Sequence, residues 1–242
     1  MAHAHTRFSG DGELSPQELA DLARARGFGA VLVSDHFESL TAGRFAELRR
    51  ACASVTGCLL APGYERSWDG YHVLALGVDE WFDDADIGAW ARRVHAAGGI
   101  TVLAHPSRYG HRVPDAVLAV CDAVEVWNSK FAYDGATAPN PAAYGLLNIS
   151  RYPLCGQDLH GRRHASSVAI LLPRSCATTR EIVDCVKRGD YEMGNRLWRF
   201  TRRMPGALRP LLALFHRGRR IAVESAIRMR RFARRAKPKV LA

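Results

Sequence analysis

The sequence predicts an α/β fold built on parallel strands, and three observations carry that prediction. Short apolar, β-branched runs recur through the first 175 residues. Stretches with helix-capping signals alternate with them. The runs also end repeatedly in His, Asp or Glu, residue types poor for packing and good for a shared polar site. In α/β barrels, functional side chains project from the carboxyl ends of the strands, on one face.

The chain opens MAHAHTRFSGDGELSPQEL, with His3 and His5 one residue apart where a terminus is ordinarily frayed. Only Met1 and Ala2 precede them, so the first strand is either very short or starts upstream of this sequence. Residues 15–27 read as a helix: Ser15 is the N-cap, Pro16 the first helical position, Glu18 stands at capping-box spacing and Gly27 is the stop. GAVLVSDH (29–36) is a strand ending in an acid and His36, and CLLAPGYE (58–65) has the same build and ends in Glu65. YHVLALGVD (71–79) carries His72 near its start, and DIGAWARRVHAAGG (86–99) is a helix opened by an acid and closed by a glycine pair. GITVLAHP (99–106) brings His105, AVEVWN (123–128) ends in Asn128, and YPLCGQDLH (152–160) ends in Asp158 and His160. ATTREIVDCVKRG (177–189) repeats the helical pattern. Strand, helix and strand joined by right-handed crossovers is the connection that parallel strands require.

The bulk numbers narrow the classes. A chain of 242 residues, 48% hydrophobic and 24% charged, can bury a sizeable core in one large domain or two small ones. No run approaches the roughly 18 apolar residues of a membrane span, and no basic start precedes an apolar run as in a signal peptide. The six cysteines are scattered without a C-x-x-C pair, which points to reduced, mostly buried thiols in a cytoplasmic protein. The net charge of +10 is uneven: from Arg196 onward thirteen Arg and two Lys face the single acid Glu224, so this tail carries +14 and the rest −4.

Nine side chains form the candidate constellation: His3, His5, Asp11, His36, Glu65, His72, His105, Asp158 and His160. That is too many nitrogen and oxygen ligands for one metal ion and suits two or three divalent ions. Zinc, manganese and iron all accept imidazole and carboxylate. Any one of these residues taken alone reads more readily as a surface or satisfied core group. The pairs His3/His5 and Asp158/His160 weigh more, because alternate residues of a strand point to one side.

The ordered set H-x-H-T, S-G-D-G, S-P-Q-E-L, V-S-D-H, P-G-Y-E, H-V-L-A-L-G, A-H-P and Q-D-L-H, spread over residues 2 to 190, resembles the PHP (polymerase and histidinol phosphatase) domain superfamily. Each motif is short; their order is what makes the match specific. The resemblance implies a distorted (β/α)7 TIM-like barrel over residues 1–190. It also implies hydrolysis of a phosphomonoester or short phosphodiester by a metal-activated hydroxide at a multinuclear site. Carried over by motif, His3, His5, Glu65 and Asp158 hold a first ion, Glu65 bridges to a second completed by His72 and His105, and Asp11, His36 and His160 hold a third. Glu65, His105 and Asp158 stand at the centre of catalysis. The S-G-D-G stretch is one residue longer than the family's commoner S-D-G, which bears on Asp11. Two other readings stay open: a metal-stabilised regulatory or binding module without turnover, and a different metal-assisted hydrolase on the same ligands.

Around this set, Arg66, Lys130, Arg162 and Arg163 follow motif ends and are candidates for a substrate phosphate, against the plain reading of solvated loop charges. Asn128 is either near the site or a loop cap. Trp68 and Trp127 are expected in the core, and His95, His111 and His164 on the surface. FAYDGATAPNPAAYG (131–145) reads as a long loop over the face, a candidate lid. Residues 191–242 form a basic extension that Pro205, Pro210 and Gly218 are expected to divide into short helical pieces. Three roles compete for it: binding an anionic membrane surface, here the inner face of the membrane, binding nucleic acid, or packing as a helical appendage. Nucleic acid ranks last, because the arginines lack interleaved aromatics. The expected substrate partner is a small phosphorylated molecule or short nucleotide.

Overall fold

The structure, a computed structural model, describes residues 1–148, 150–173 and 176–236, with side chains up to Met229 except residue 227. Its strands are β1 (Ala2–Ala4), β2 (Ala30–Val33), β3 (Asp35–His36), β4 (Leu59–Ala61), β5 (Gly63–Trp68), β6 (Tyr71–Leu76), β7 (Ile100–Leu103), β8 (Ala123–Asn128), β9 (Tyr152–Gly156), β10 (Ala169–Leu171), β11 (Glu192–Gly194) and β12 (Arg199–Phe200). The helices are α1 (Pro16–Ala25), α2 (Ala42–Ser54), α3 (Ile87–Ala96), α4 (Asp115–Ala119), α5 (Thr179–Arg188) and α6 (Arg209–Ala236).

β1, β2 and β4 pair in parallel. β3 follows β2 after one residue and pairs in parallel with β5, which follows β4 after Pro62. β7, β8 and β9 are again parallel. Past β9 the backbone returns to β1: Gln157 N donates to Ala2 O, Leu159 N to His3 O and His5 N to Leu159 O. Between these parallel groups β5, β6 and β7 run antiparallel, which simple strand–helix alternation does not anticipate. The reason is local. Asp69 (φ 49°) and Gly70 (φ 84°) form the two-residue turn that suits a hairpin, leaving no room for a crossover helix.

The helices form where their caps predict. Ser15 and Glu18 close a capping box at the start of α1, and Thr178 and Glu181 do the same for α5. Each helix buries one apolar face, Leu19, Leu22 and Ala23 on α1 and Ile182, Val183 and Val186 on α5. β7 and β8 are buried along their whole length, as parallel strands covered on both sides should be. Trp127 is fully buried, and Trp68 packs its ring beside fully buried Trp90. Among the described residues no disulfide joins the cysteines.

Two features of the C-terminal part differ from expectation. α6 is one continuous helix of 28 residues, not a set of short pieces. Pro210 is its second residue, where a missing N–H costs no hydrogen bond, and Gly218 lowers helix propensity by about 1 kcal/mol without breaking the ladder. The stretch after residue 190 is also tied to what precedes it. β11 pairs antiparallel with β10, the Tyr191 hydroxyl donates to Pro153 O at 2.6 Å, and Phe200 packs edge-on against Trp127. A boundary at residue 190 cuts through that sheet.

Gly63, where β4 passes into β5, tolerates no side chain: a Cβ there lies 2.3 Å from Ala75 O and 2.7 Å from Val33 O. Gly63→Ala is expected to lower unfolding free energy by about 2 kcal/mol or more, read as a fall in the urea midpoint at unchanged slope.

Candidate metal centre

Glu65 leaves the middle of β5 with its carboxylate buried among five imidazoles. Its Oε1 lies 2.6 Å from His72 Nδ1 and 3.0 Å from His105 Nε2. Its Oε2 lies 3.3 Å from His36 Nδ1 and 3.5 Å from both His3 Nε2 and His5 Nε2. Asp158 Oδ1 approaches the same two nitrogens, at 3.8 and 3.6 Å. On the outer side His36 Nε2 and His160 Nε2 face the two oxygens of Asp11 at 3.4 and 3.1 Å. All nine side chains singled out in the sequence therefore meet. Their donor atoms form four overlapping groups, each within 4.8 Å: His3–His5–Glu65, His3–His105–Asp158, Glu65–His72–His105, and His5–Asp11–His36–His160.

The backbone is bent to achieve this. His3 (φ 58°), His105 (φ 31°) and Asp158 (φ 49°) all adopt left-handed conformations, which cost a non-glycine residue about 1–3 kcal/mol each. At His3 this coincides with a shift of register between β1 and β2. Plain alternation along a strand is thus replaced by a bulge that turns the imidazole inward.

The ring nitrogens are set from outside the cluster. His3 Nδ1–H donates to Glu125 Oε1 at 2.8 Å, and His160 Nδ1–H donates to the Asp158 carbonyl at 3.0 Å. His5 Nδ1–H donates to Ser9 Oγ at 3.2 Å, while Ser9 Oγ–H donates to Asp35 Oδ1. This arrangement directs the Nε2 atoms inward. His3 Nε2, His5 Nε2 and His105 Nδ1 are buried without any hydrogen-bond partner. Acceptor atoms that converge without donors call for a cation. Two ligands about 2.1 Å from one ion stand roughly 3.0–3.4 Å apart at octahedral or tetrahedral angles, close to the spacings seen here. The donor set fits divalent metal.

Glu65, Asp158 and His5 carry the charge states such a cation needs, and at His3 a cation takes the place of a proton. Burial alone raises a carboxyl pKa, yet the imidazoles around Glu65, and the imidazoles with Lys130 around Asp158, hold both groups well below the usual range. Burial pushes His5 down to about 4, so its nitrogen is unprotonated. Burial also opposes charge on His3, but Glu125, Glu65 and Asp158 outweigh it and hold His3 well above its usual value.

Three supporting groups were not singled out from the sequence. Glu125 accepts from His3, from the His105 backbone N–H and from Asn128 Nδ2. Asp35 accepts from the backbone and hydroxyl of both Thr6 and Ser9 and so fixes the 6–9 turn. Both are lone acids within apolar runs, and that was the available signal. Tyr133 lays its ring 4.8 Å from that of His105.

The four candidate phosphate binders separate. Lys130 Nζ lies in the cluster, 2.9 Å from Asp158 Oδ2. Arg66 is a correction: it follows Glu65 on β5 and so projects to the opposite face, stacked on Phe37 and Trp68 at 4.1 and 4.2 Å and bonded to Phe82 O. Arg162 is exposed, and exposed Arg163 pairs with Glu13 at 2.7 Å. Asn128 caps the adjoining loop and braces Glu125 at once. A hollow of about 740 Å³ between Met1, Phe28, Ile170 and Ile182 includes none of the nine residues.

The 131–145 loop is pinned rather than free to swing as a lid. Trp127 Nε1 donates to Gly135 O, Asn195 Nδ2 to Ala136 O, and Asp134 is buried against Ser107 and Asn140. From α6, Arg219 donates to Phe131 O and Tyr133 O, and His216 Nε2 to Pro139 O. Removing two hydrogen bonds from a charged group costs about 3 kcal/mol or more, so Arg219→Ala is expected to speed amide exchange across residues 131–140 by at least tenfold. Exchange in β7 and β8 stays at the original rate.

The chain matches no protein-family model and no curated protein. Among solved structures it is similar to a "putative metal-dependent phosphoesterase" from Bifidobacterium adolescentis, at 19% identity and a TM-score of 0.47, over 76% of this chain and 94% of that one. It is also similar to an amidohydrolase from Chromobacterium violaceum with bound sulfate and no metal, at 19% identity and a TM-score of 0.44, over 66% and 86%.

Proposed function

We propose that this chain is a metal-dependent phosphoesterase that hydrolyses a phosphomonoester or short phosphodiester with two or three divalent ions. The observation that carries the reading is the convergence of buried imidazole nitrogens without hydrogen-bond partners on the buried carboxylates of Glu65 and Asp158. The fold reading that accompanies it is a distorted seven-stranded barrel. Its support is the bonding from the segment after β9 back to β1, with β2–β3 and β4–β5 each counted as one strand.

In this reading His3, His5, Glu65 and Asp158 hold one ion, Glu65, His72 and His105 a second, and Asp11, His36 and His160 a third. Zinc, manganese and iron all suit such ligands. Ions so held polarise phosphoryl oxygens and lower the pKa of water, the two requirements of phosphoester hydrolysis at neutral pH. Glu65 turns Oε1 to His72 and His105 and Oε2 to His3, His5 and His36, so it would serve as a ligand in both groups. Glu125 keeps His3 and His105 oriented, so the nitrogens need no rearrangement when a ligand arrives. Lys130, now paired with Asp158, is the cation placed to turn toward a substrate phosphate. Asp11, more than half exposed, marks the open side by which substrate enters.

The test is metal content of protein purified without chelator, run beside hydrolysis of an aryl phosphate, a bis-aryl phosphodiester and an aryl ester. Two to three equivalents of Zn, Mn or Fe are expected, with phosphoester turnover lost in His105→Ala and Asp158→Ala. Ester cleavage alone would assign a different metal-assisted hydrolase, metal without turnover on any of the three would assign a regulatory module, and protein without metal would overturn the reading. Glu125→Gln, which keeps the side-chain shape, is expected to weaken metal affinity about 10–100-fold in a chelator competition. Lys130→Ala is expected to raise KM for the aryl phosphate by about tenfold, the order of one charge-assisted hydrogen bond, at unchanged metal content.

A further inference from the structure

α6 has two faces of opposite character. Leu212, His216, Arg219 and Val223, spaced i, i+4, i+7 and i+11, turn toward the body: His216 and Val223 are buried, Leu212 packs on the core and Arg219 bonds the 131–135 backbone. On the far side Leu211, Leu214, Ile221 and Met229 are 65, 70, 59 and 66% exposed. At 100° per residue Leu214 and Ile221 fall within about 20° of each other, and Leu211 and Met229 line up beside them. Exposed Arg217 and Arg228 border the stripe, exposed Arg209 and Arg220 lie farther round toward the inner face, and the sole acid, Glu224, is already placed against Arg220.

An exposed apolar stripe on a helix whose other face is satisfied marks an interaction surface. Its occupant has to accept large aliphatic side chains and neutralise a row of guanidinium groups together. A second copy of this chain would set arginines against arginines. A nucleic acid would neutralise the charge but leave the aliphatic stripe in water. Among the described residues no helix is long and apolar enough to cross a membrane. An anionic bilayer surface meets both demands, since aliphatic side chains enter the headgroup–acyl boundary while arginines meet lipid phosphates.

We propose that the Leu211–Leu214–Ile221–Met229 face of α6, with its arginine border, docks this protein in plane on an anionic membrane surface. This assignment stands apart from the phosphoesterase reading and survives its failure. The test is co-sedimentation of the full chain with sucrose-loaded vesicles of phosphatidylcholine and phosphatidylglycerol at 7:3, against vesicles of phosphatidylcholine alone. At least tenfold stronger binding to the anionic vesicles is expected, falling as salt rises. Leu214→Glu with Ile221→Glu lowers it at least tenfold, and so does Arg217→Gln with Arg228→Gln, with thermal midpoints unchanged because all four side chains are exposed. Leu211→Glu with Met229→Glu repeats the test on the same stripe. Three outcomes each overturn the proposal: no sedimentation at low salt, sedimentation indifferent to the aliphatic substitutions, or full displacement by a single-stranded oligonucleotide that binds both acidic double variants as well as the original protein.

Discussion

One carboxylate, that of Glu65, sets the terms for the rest of the structure. It is 2% exposed, and among the described residues its ion pairs are all with imidazoles. A buried charge is tolerated when it is paired and hydrogen-bonded, and here His72 and His105 hydrogen-bond one oxygen while His3, His5 and His36 crowd the other at 3.3–3.5 Å. The surrounding residues act to hold those imidazoles in place rather than to relieve them. Glu125 occupies the outer nitrogen of His3, Ser9 that of His5, and the Asp158 carbonyl that of His160. The groups so held could accept a divalent cation from outside the chain.

Preorganisation of this kind is visible in the backbone as well. The left-handed residues His3, His105 and Asp158 are held by neighbours that leave no alternative: Leu159 N donates to His3 O, and His105 N donates to Glu125 Oε2. Conformational strain persists only where surrounding structure over-determines it, and here it coincides with three residues of one cluster. Binding energy from a ligand is then not consumed in bending the chain.

The positions of His36, His105 and Asp158 at or just past strand ends were legible because an acid or imidazole after a β-branched run has no use in packing, and Glu65 was legible by the same signal although it lies inside β5. The helices were legible from their caps, Ser15 with Glu18 and Thr178 with Glu181, since these interactions lie within four residues of sequence. What could not be read shares a different character. The hairpin between β5 and β6 was hidden by a strong strand signal on both sides, although Asp69-Gly70 is a turn pair. Glu125 looked like one acid in an apolar strand, because its partner His3 lies 122 residues away. Arg66 misled for the same reason in reverse: its place beside Glu65 in sequence puts it on the opposite face in space. α6 was read as broken because Pro and Gly were weighed by type and not by position in the helix.

α6 joins two regions that the sequence presents as unrelated. Its inner face grips the backbone of residues 131–139 through Arg219 and His216, and the same loop carries Tyr133 against His105 and begins just after Lys130. Order in the loop therefore depends on α6 staying docked. A ligand on the outer face favours the docked helix only to the extent that it binds that state more tightly than the undocked one. Under the docking proposal a flat surface would discriminate in this sense, because the outer stripe is continuous only while the helix is formed, and the inner face adds contacts to the formed helix. The coupling needs no relay of side chains: one rigid helix with two occupied faces is sufficient, and the loop beneath it is the element that gains order.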